Sequence, residues 1–168
     1  MAFVTSSTLG ASFTASNATA LFTTNTIAHG SDGSEWVYIK ATGTLATGAL
    51  VAIRPDGTAI AATTAILTTP DVAEGFSLAF TQFQLAQGEF GFAATRGHNM
   101  VVRCSGTVAN LNVLYLANTP GALSTAMSSA TLAGIYITTS ASTASLVMSG
   151  RAILNYPRVW GALNTPLG

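Results

Sequence analysis

Short runs of apolar residues, many alternating with polar ones, recur along this chain, and the first clear one is EWVYIKA at 35–41. Its apolar Trp36, Val37, Tyr38 and Ile39 are bracketed by Glu35 and Lys40, and a short apolar run of this kind is the mark of a β-strand. Comparable segments lie at 49–54, 58–63, 75–80, 89–95, 100–105, 113–117, 132–138 and 145–154. Most are bounded by residues that favour turns, including Asp32-Gly33, Gly48, Pro55-Asp56-Gly57, Gly88, Gly97, Gly106 and Pro120-Gly121. The clearest hairpin is AIRPDGTAIAA, because Asp-Gly tolerates the positive φ that tight hairpin turns demand. Short strands recurring every 8 to 12 residues or so predict an all-β fold, a compact antiparallel β-sandwich or β-barrel of about 8–10 strands.

Helical signals are weak. Residues 63–67 suit a single turn, and LSTAMSSATLAG holds Ala, Leu and Met among many Ser and Thr, which compete for backbone hydrogen bonds. Residues 1–30 break the strand pattern. They are rich in Ser, Thr, Ala and Asn, with scattered Phe3, Phe13 and Phe22, and up to residue 31 they carry no Asp, Glu, Lys or Arg. They read as an extended N-terminal arm, 31–155 as the β-domain, and 156–168 as a C-terminal tail in which two prolines resist regular structure.

Composition changes the picture in one respect. Charged residues make up 7% of the 168, against about 25% in ordinary globular chains. Six cations balance six carboxylates, and none falls between Arg103 and Arg151. No basic stripe exists to neutralise phosphates, which argues against nucleic acid as a partner. No apolar run approaches the roughly 20 residues of a spanning helix, so no membrane is expected either. The first residues, MAFVTSSTLG, lack a basic leader, and synthesis in the cytoplasm is the expectation. A surface so poor in charge favours self-association.

Candidate chemistry is sparse. His29, Asp32 and a serine share one turn, which recruits such residues for local hydrogen bonding in any case. His98 and Cys104 are six residues apart, roughly 15 to 20 Å if extended, too far for a thiolate–imidazole pair. Cys104, the single cysteine, lies in an apolar run and reads as a small buried hydrophobe. Asp71 and Glu74 are two carboxylates where a calcium site takes six to eight oxygens or so. GEFGFAATRG lacks the Lys-Ser/Thr of a phosphate-binding loop. The expectation is a non-enzyme without cofactor or metal. What remains is contact: Trp36 and Tyr38 as anchors of the first domain strand, whose charges mark its outward face, and Tyr156, Arg158 and Trp160, residue types enriched at binding hot spots.

The succession WVYIKATGTLATGALVAI, AEGFSLAF, LAQGEFGFAATRGHNMVVRCSG, LNVLYLANTPGALSTA, LAGIYITT and SLVMSGRAIL, over residues 36–154, resembles the small all-β decoration, or cement, proteins of tailed-phage capsids. The first 30 residues fall outside it. The resemblance implies a virion protein on the outer capsid surface, made in the host cytoplasm. It implies a homotrimer that clamps neighbouring major capsid protein subunits. Phe3, Phe13 and Phe22 of the arm and Tyr156, Arg158 and Trp160 of the tail are then the expected contact residues. Two other classes fit the residues: a head-fibre or tail attachment domain binding a host glycan, and a small β-barrel hydrolase using His29 or His98.

Overall fold

The computed structural model describes residues 12–68, 76–108, 114–126, 131–139 and 147–160. They form ten strands and one short helix: β1 (Ile27–His29), β2 (Glu35–Ala41), β3 (Leu50–Ile53), β4 (Thr58–Ala61), α1 (Thr64–Thr68), β5 (Ser77–Thr81), β6 (Phe90–Ser105), β7 (Leu114–Leu116), β8 (Leu123–Ser124), β9 (Thr131–Thr139) and β10 (Val147–Trp160). The fold is all-β. Its strands follow the order β1-β2-β4-β3-β5-β6-β10-β9-β7-β8, with additional pairings of β2 to β6 and of β6 to β8.

Those two additional pairings close the sheet twice. One ring runs β2-β4-β3-β5-β6 and back to β2; the other runs β6-β10-β9-β7-β8 and back to β6. Most pairs are antiparallel, while β2–β4 and β6–β8 are parallel. The 16-residue β6 serves both rings. Residues 90–96 pair with β2, and residues 96–105 pair with β10. The sequence pattern suggests two strands here, interrupted at Gly97. The structure instead continues through a bulge at Gly97–Met100, with Asn99 at φ +56°, because one extra β6 residue is absorbed opposite Leu154 and Ala152.

The first ring is filled by one set of alternate side chains: Val37, Ile39 and Ala41 of β2, Val51 and Ile53 of β3, Ala59 of β4, Ala79 of β5 and Ala93 of β6. The other set points outward, yet it is not solvated. Trp36, Tyr38, Leu50, Ala52, Leu78, Phe80, Phe92 and Ala94 join a second core with Met100, Val102, Cys104, Leu116, Leu123, Ile135 and Leu154. Strands covered on both faces read as near-continuous apolar runs. Much of the scarcity of charge is therefore internal. In β2, Glu35 and Lys40 mark the two ends of the strand and not an outward face, since Trp36 to Ile39 are all buried.

Residues 41–50 and 81–90 repeat one local structure across a pseudo-two-fold relation. Leu45 and Leu85 exchange both backbone hydrogen bonds (2.8 and 2.9 Å). Gly48 N–H donates to Thr81 O (2.7 Å) as Gly88 N–H donates to Ala41 O (2.8 Å). Each unit turns through Ala-x-Gly, with Gly48 at φ +72° and Gly88 at +86°, a region in which a Cβ is strained. The rings are joined by main-chain bonds from Arg103 N–H to Gly48 O (2.7 Å) and from Leu50 N–H to Gly121 O (2.8 Å).

Both ends of the chain depart from expectation. From residue 12 the N-terminal segment is part of the domain and not a free arm. Phe13 is 1% exposed, stacked on Trp36 (centroids 5.0 Å apart) and edge-on to Phe92 (5.1 Å). Asn17 exchanges backbone bonds with Phe90, and Thr24 and Asn25 hydrogen-bond to Asp56 O and Pro55 O at the tip of the β3–β4 hairpin. At the other end the domain does not stop at 155: β10 runs to Trp160, pairing with Thr131 of β9. Pro157 is tolerated because it sits in a bulge, between the pairs Leu154–Ile135 and Arg158–Ala133. Residues 161–168 lie outside the described chain, as does Phe3.

Candidate functional site

The turn that opens β2 is built around one hydroxyl. Ser34 is fully buried; its Oγ donates to Asp32 Oδ1 (2.6 Å) and accepts from Trp36 Nε1 (2.7 Å). Ser34 N–H also donates to Asp32 Oδ1 (3.0 Å). Partial burial pushes the Asp32 carboxyl up, but these Ser34 hydrogen bonds, with a smaller contribution from His98, outweigh it and hold the group below its ordinary value. A triad needs an imidazole at the serine oxygen, and here the partners are a carboxylate and an indole. His29 Nδ1 instead lies 3.8 Å from Glu35 Oε2. The arrangement clamps the turn and pins Trp36.

Glu35 links this turn to β10. Tyr156 Oη donates to Glu35 Oε2 (3.1 Å), and Thr95 Oγ1 reaches the Glu35 main-chain and side-chain oxygens (3.2 Å each). The reach of Tyr156 depends on the bulge: its φ is +49°, and the facing Gly134 is at +78°. A Cβ on Gly134 would stand 2.4 Å from Asn155 O and 2.8 Å from Tyr156 O, so only glycine lets the two strands approach.

Cys104 and His98 do not form a couple. The Cys104 thiol is buried, and desolvation pushes it up to about 11, so it is protonated near neutrality. His98 lies on the exposed bulge of β6. Among the described residues no group of three or more His, Cys, Asp or Glu side chains could hold a metal ion, and no helix is long and apolar enough to cross a membrane. Asp71 and Glu74 lie outside the described residues.

The expected contact residues fall in different places. Phe13 and the half-buried Phe22 are turned into the chain's own aromatic cluster, Phe22 edge-on to Tyr38 at 5.3 Å, so neither offers a broad surface to a partner. Trp36 and Tyr38 are buried in that cluster. Tyr156 and Arg158 are exposed on β10; Trp160 occupies the register position opposite Thr131. Beside them lies Tyr136 of β9, 59% exposed and paired with Ile153, and exposed Arg151, whose guanidinium donates to Asn99 O (2.9 Å). Tyr136 was not foreseeable as a surface residue, because the alternation of β9 does not say which face is covered. The β9–β10 pair thus presents exposed tyrosines and arginines on the second ring.

No family model matches the chain, and no curated protein or solved structure matches it, so the functional reading rests on the order of its strands and on this surface.

Proposed function

We propose that the chain is a structural virion protein that binds the outer surface of a tailed-phage capsid and stabilises it by clamping neighbouring major capsid subunits, as an oligomer. The observation that carries this reading is the β9–β10 surface, where Tyr136, Tyr156, Arg151 and Arg158 are exposed on paired strands. Tyrosine and arginine supply contact area and directional hydrogen bonds and are enriched at binding hot spots, which suits docking onto another protein. Two nucleophile candidates are enclosed: Ser34 holds a turn, and Cys104 is buried and protonated near neutrality. A shell presents many equivalent sites, so modest contacts from linked protomers add through effective concentration.

The test is saturation binding of the purified protein to mature capsids of its source that lack it, with bound copies counted per shell. Saturation at a multiple of one class of lattice site, with capsids gaining heat resistance, supports the reading. Absence of binding refutes it and favours attachment to a host glycan, which exposed tyrosines also suit; binding on a glycan array is then the next measurement.

A further inference from the structure

A row of polar side chains crosses the sheet where β6 passes from one ring to the other. His29 of β1 stands opposite Glu35 of β2, Glu35 opposite Arg96 of β6, and Arg96 opposite Asn155 of β10. Directly opposed residues share a face, so the four project on one side, spaced about 4.8 Å apart from strand to strand and roughly 14 Å in all. Glu35 is half-buried and the other three are exposed. Asp32 lies in the turn before Glu35, within electrostatic reach of His98 on the β6 bulge. Turn and bulge pack closely: a Cβ on Gly97 would stand 3.1 Å from the Ser34 Cβ. Among only six cations and six carboxylates, Asp32, Glu35 and Arg96 thus gather here with both histidines of the chain. Register shifts converge on the same place, opposite Glu35–Trp36, between Ala152 and Leu154, and between Leu154 and Arg158. Such bulges re-aim side chains, and here Thr95 Oγ1 comes 3.2 Å from Glu35 Oε1 and Tyr156 Oη 3.1 Å from Oε2.

We propose that this row binds a neutral saccharide chain lying across β1, β2, β6 and β10, with one pyranose ring against Tyr156. The groups themselves select such a ligand. A carboxylate accepts from sugar hydroxyls, a guanidinium donates to them, and the Asn155 amide does both, so neighbouring hydroxyls meet acceptors and donors in turn. On the row one carboxylate and one guanidinium balance, which leaves no excess sign to favour an ionic ligand. Among the described residues Arg96 has no carboxylate at ion-pair distance, and it is exposed. Tyr156, 47% exposed, offers an apolar ring face on which the C–H side of a pyranose packs. That ring is positioned in advance by its backbone at φ +49° and by the Oη–Glu35 hydrogen bond, which lowers the entropic cost of binding. A surface row of this kind holds a saccharide weakly in one copy, and clustered copies bind more tightly through effective concentration. The site goes beyond capsid binding and shares only Tyr156 with the surface of Tyr136, Arg151 and Arg158.

The experiment applies the full chain, biotinylated and clustered on streptavidin, to an array of neutral and acidic oligosaccharides. NMR then follows the backbone amides of the unclustered chain titrated with the neutral trisaccharide that the array retains best. Retention of neutral saccharides is expected, with amide shifts centred on His29, Glu35, Arg96, Asn155 and Tyr156, a readout free of substitutions. Arg96→Ala and Asn155→Ala should each weaken binding at least about tenfold while keeping the far-ultraviolet β-signal, and Tyr156→Phe should weaken it less than Tyr156→Ala. No retention of neutral saccharides, retention of acidic ones only, shifts confined to other segments, or unchanged binding by both Arg96→Ala and Asn155→Ala overturns the proposal. Arg151→Glu/Arg158→Glu should impair capsid binding and leave saccharide binding unchanged. Saccharide binding without capsid binding would sink the decoration reading and leave this site standing; capsid binding without saccharide binding would do the reverse.

Discussion

Phe13→Ala measures whether the N-terminal segment belongs to the domain. Phe13 is 1% exposed and contacts two rings, Trp36 stacked at 5.0 Å and Phe92 edge-on at 5.1 Å. Truncating a buried phenylalanine costs about 3–5 kcal/mol, combining lost transfer energy with the cavity left behind. Each aromatic pair adds about 0.5–1.5 kcal/mol beyond burial, which favours the upper part of that range. Relaxation of the segment acts the other way, although the Asn17–Phe90 backbone pair holds it close to β6 and limits the collapse. The expected loss is about 3–4 kcal/mol. At about 2–4 °C per kcal/mol for a chain of this size, the melting temperature should fall by roughly 6–16 °C. Urea titration followed by tryptophan fluorescence reads the loss, since Trp36 stacks on the ring removed. A loss below about 1 kcal/mol, with weakened capsid or self-association instead, would refute the packing argument and restore the segment as a partner-binding arm.

The remaining predictions concern single groups. Ser34→Ala leaves the buried Trp36 Nε1–H without its acceptor and should cost about 1–3 kcal/mol in urea titration. The same variant should raise the Asp32 pKa, observable by NMR titration. In wild type, the depressed Asp32 contributes stability that is present above the ordinary carboxylate range and lost as pH falls through its folded value; Ser34→Ala should diminish that acid dependence. Gly134→Ala forces a Cβ into φ +78° against two carbonyl oxygens, and should lose at least about 2 kcal/mol, measured by thermal denaturation. The raised Cys104 contributes stability that is complete below the unfolded thiol's pKa and lost as pH rises to about 11, so melting temperature should fall across that alkaline window in wild type and less in Cys104→Ala. At neutral pH the native thiol should resist alkylation until urea unfolds the chain.

Legibility in the sequence differed from element to element. The segment 35–41 coincides with β2, and the strands at 49–54 and 58–63 stand, shortened, as β3 and β4, because the Pro55-Asp56-Gly57 turn between them is local chemistry: Asp56 Oδ1 accepts from Thr58 N (2.9 Å) and Oγ1 (2.7 Å). Strand β1 was missed since three residues carry too little periodicity, and β8 since its two residues sit in a segment that reads as weakly helical. The repeat of Leu-Ala-x-Gly at 45–48 and 85–88 was present in the sequence, yet its meaning depends on reciprocal bonds between residues 40 apart. The candidate surface was legible only in part. Tyr156 and Arg158 stood out by residue type, while Tyr136 and Arg151 acquired their role from the pairing of β9 with β10.

By itself, the sequence determined that this protein is all-β, where most turns fall, and that its charge is scarce. These properties follow from steric limits on neighbouring residues and from composition, neither of which depends on distant contacts. Tertiary structure decided that the sheet closes twice, that β6 passes from one ring to the other, that both faces of β2 and β3 are covered, and that Phe13 is buried at home. The hydrophobic effect rewards loss of apolar area without specifying what covers it. An exposed-reading phenylalanine can therefore satisfy the same driving force on its own domain or on a partner, and only the completed packing chooses between them.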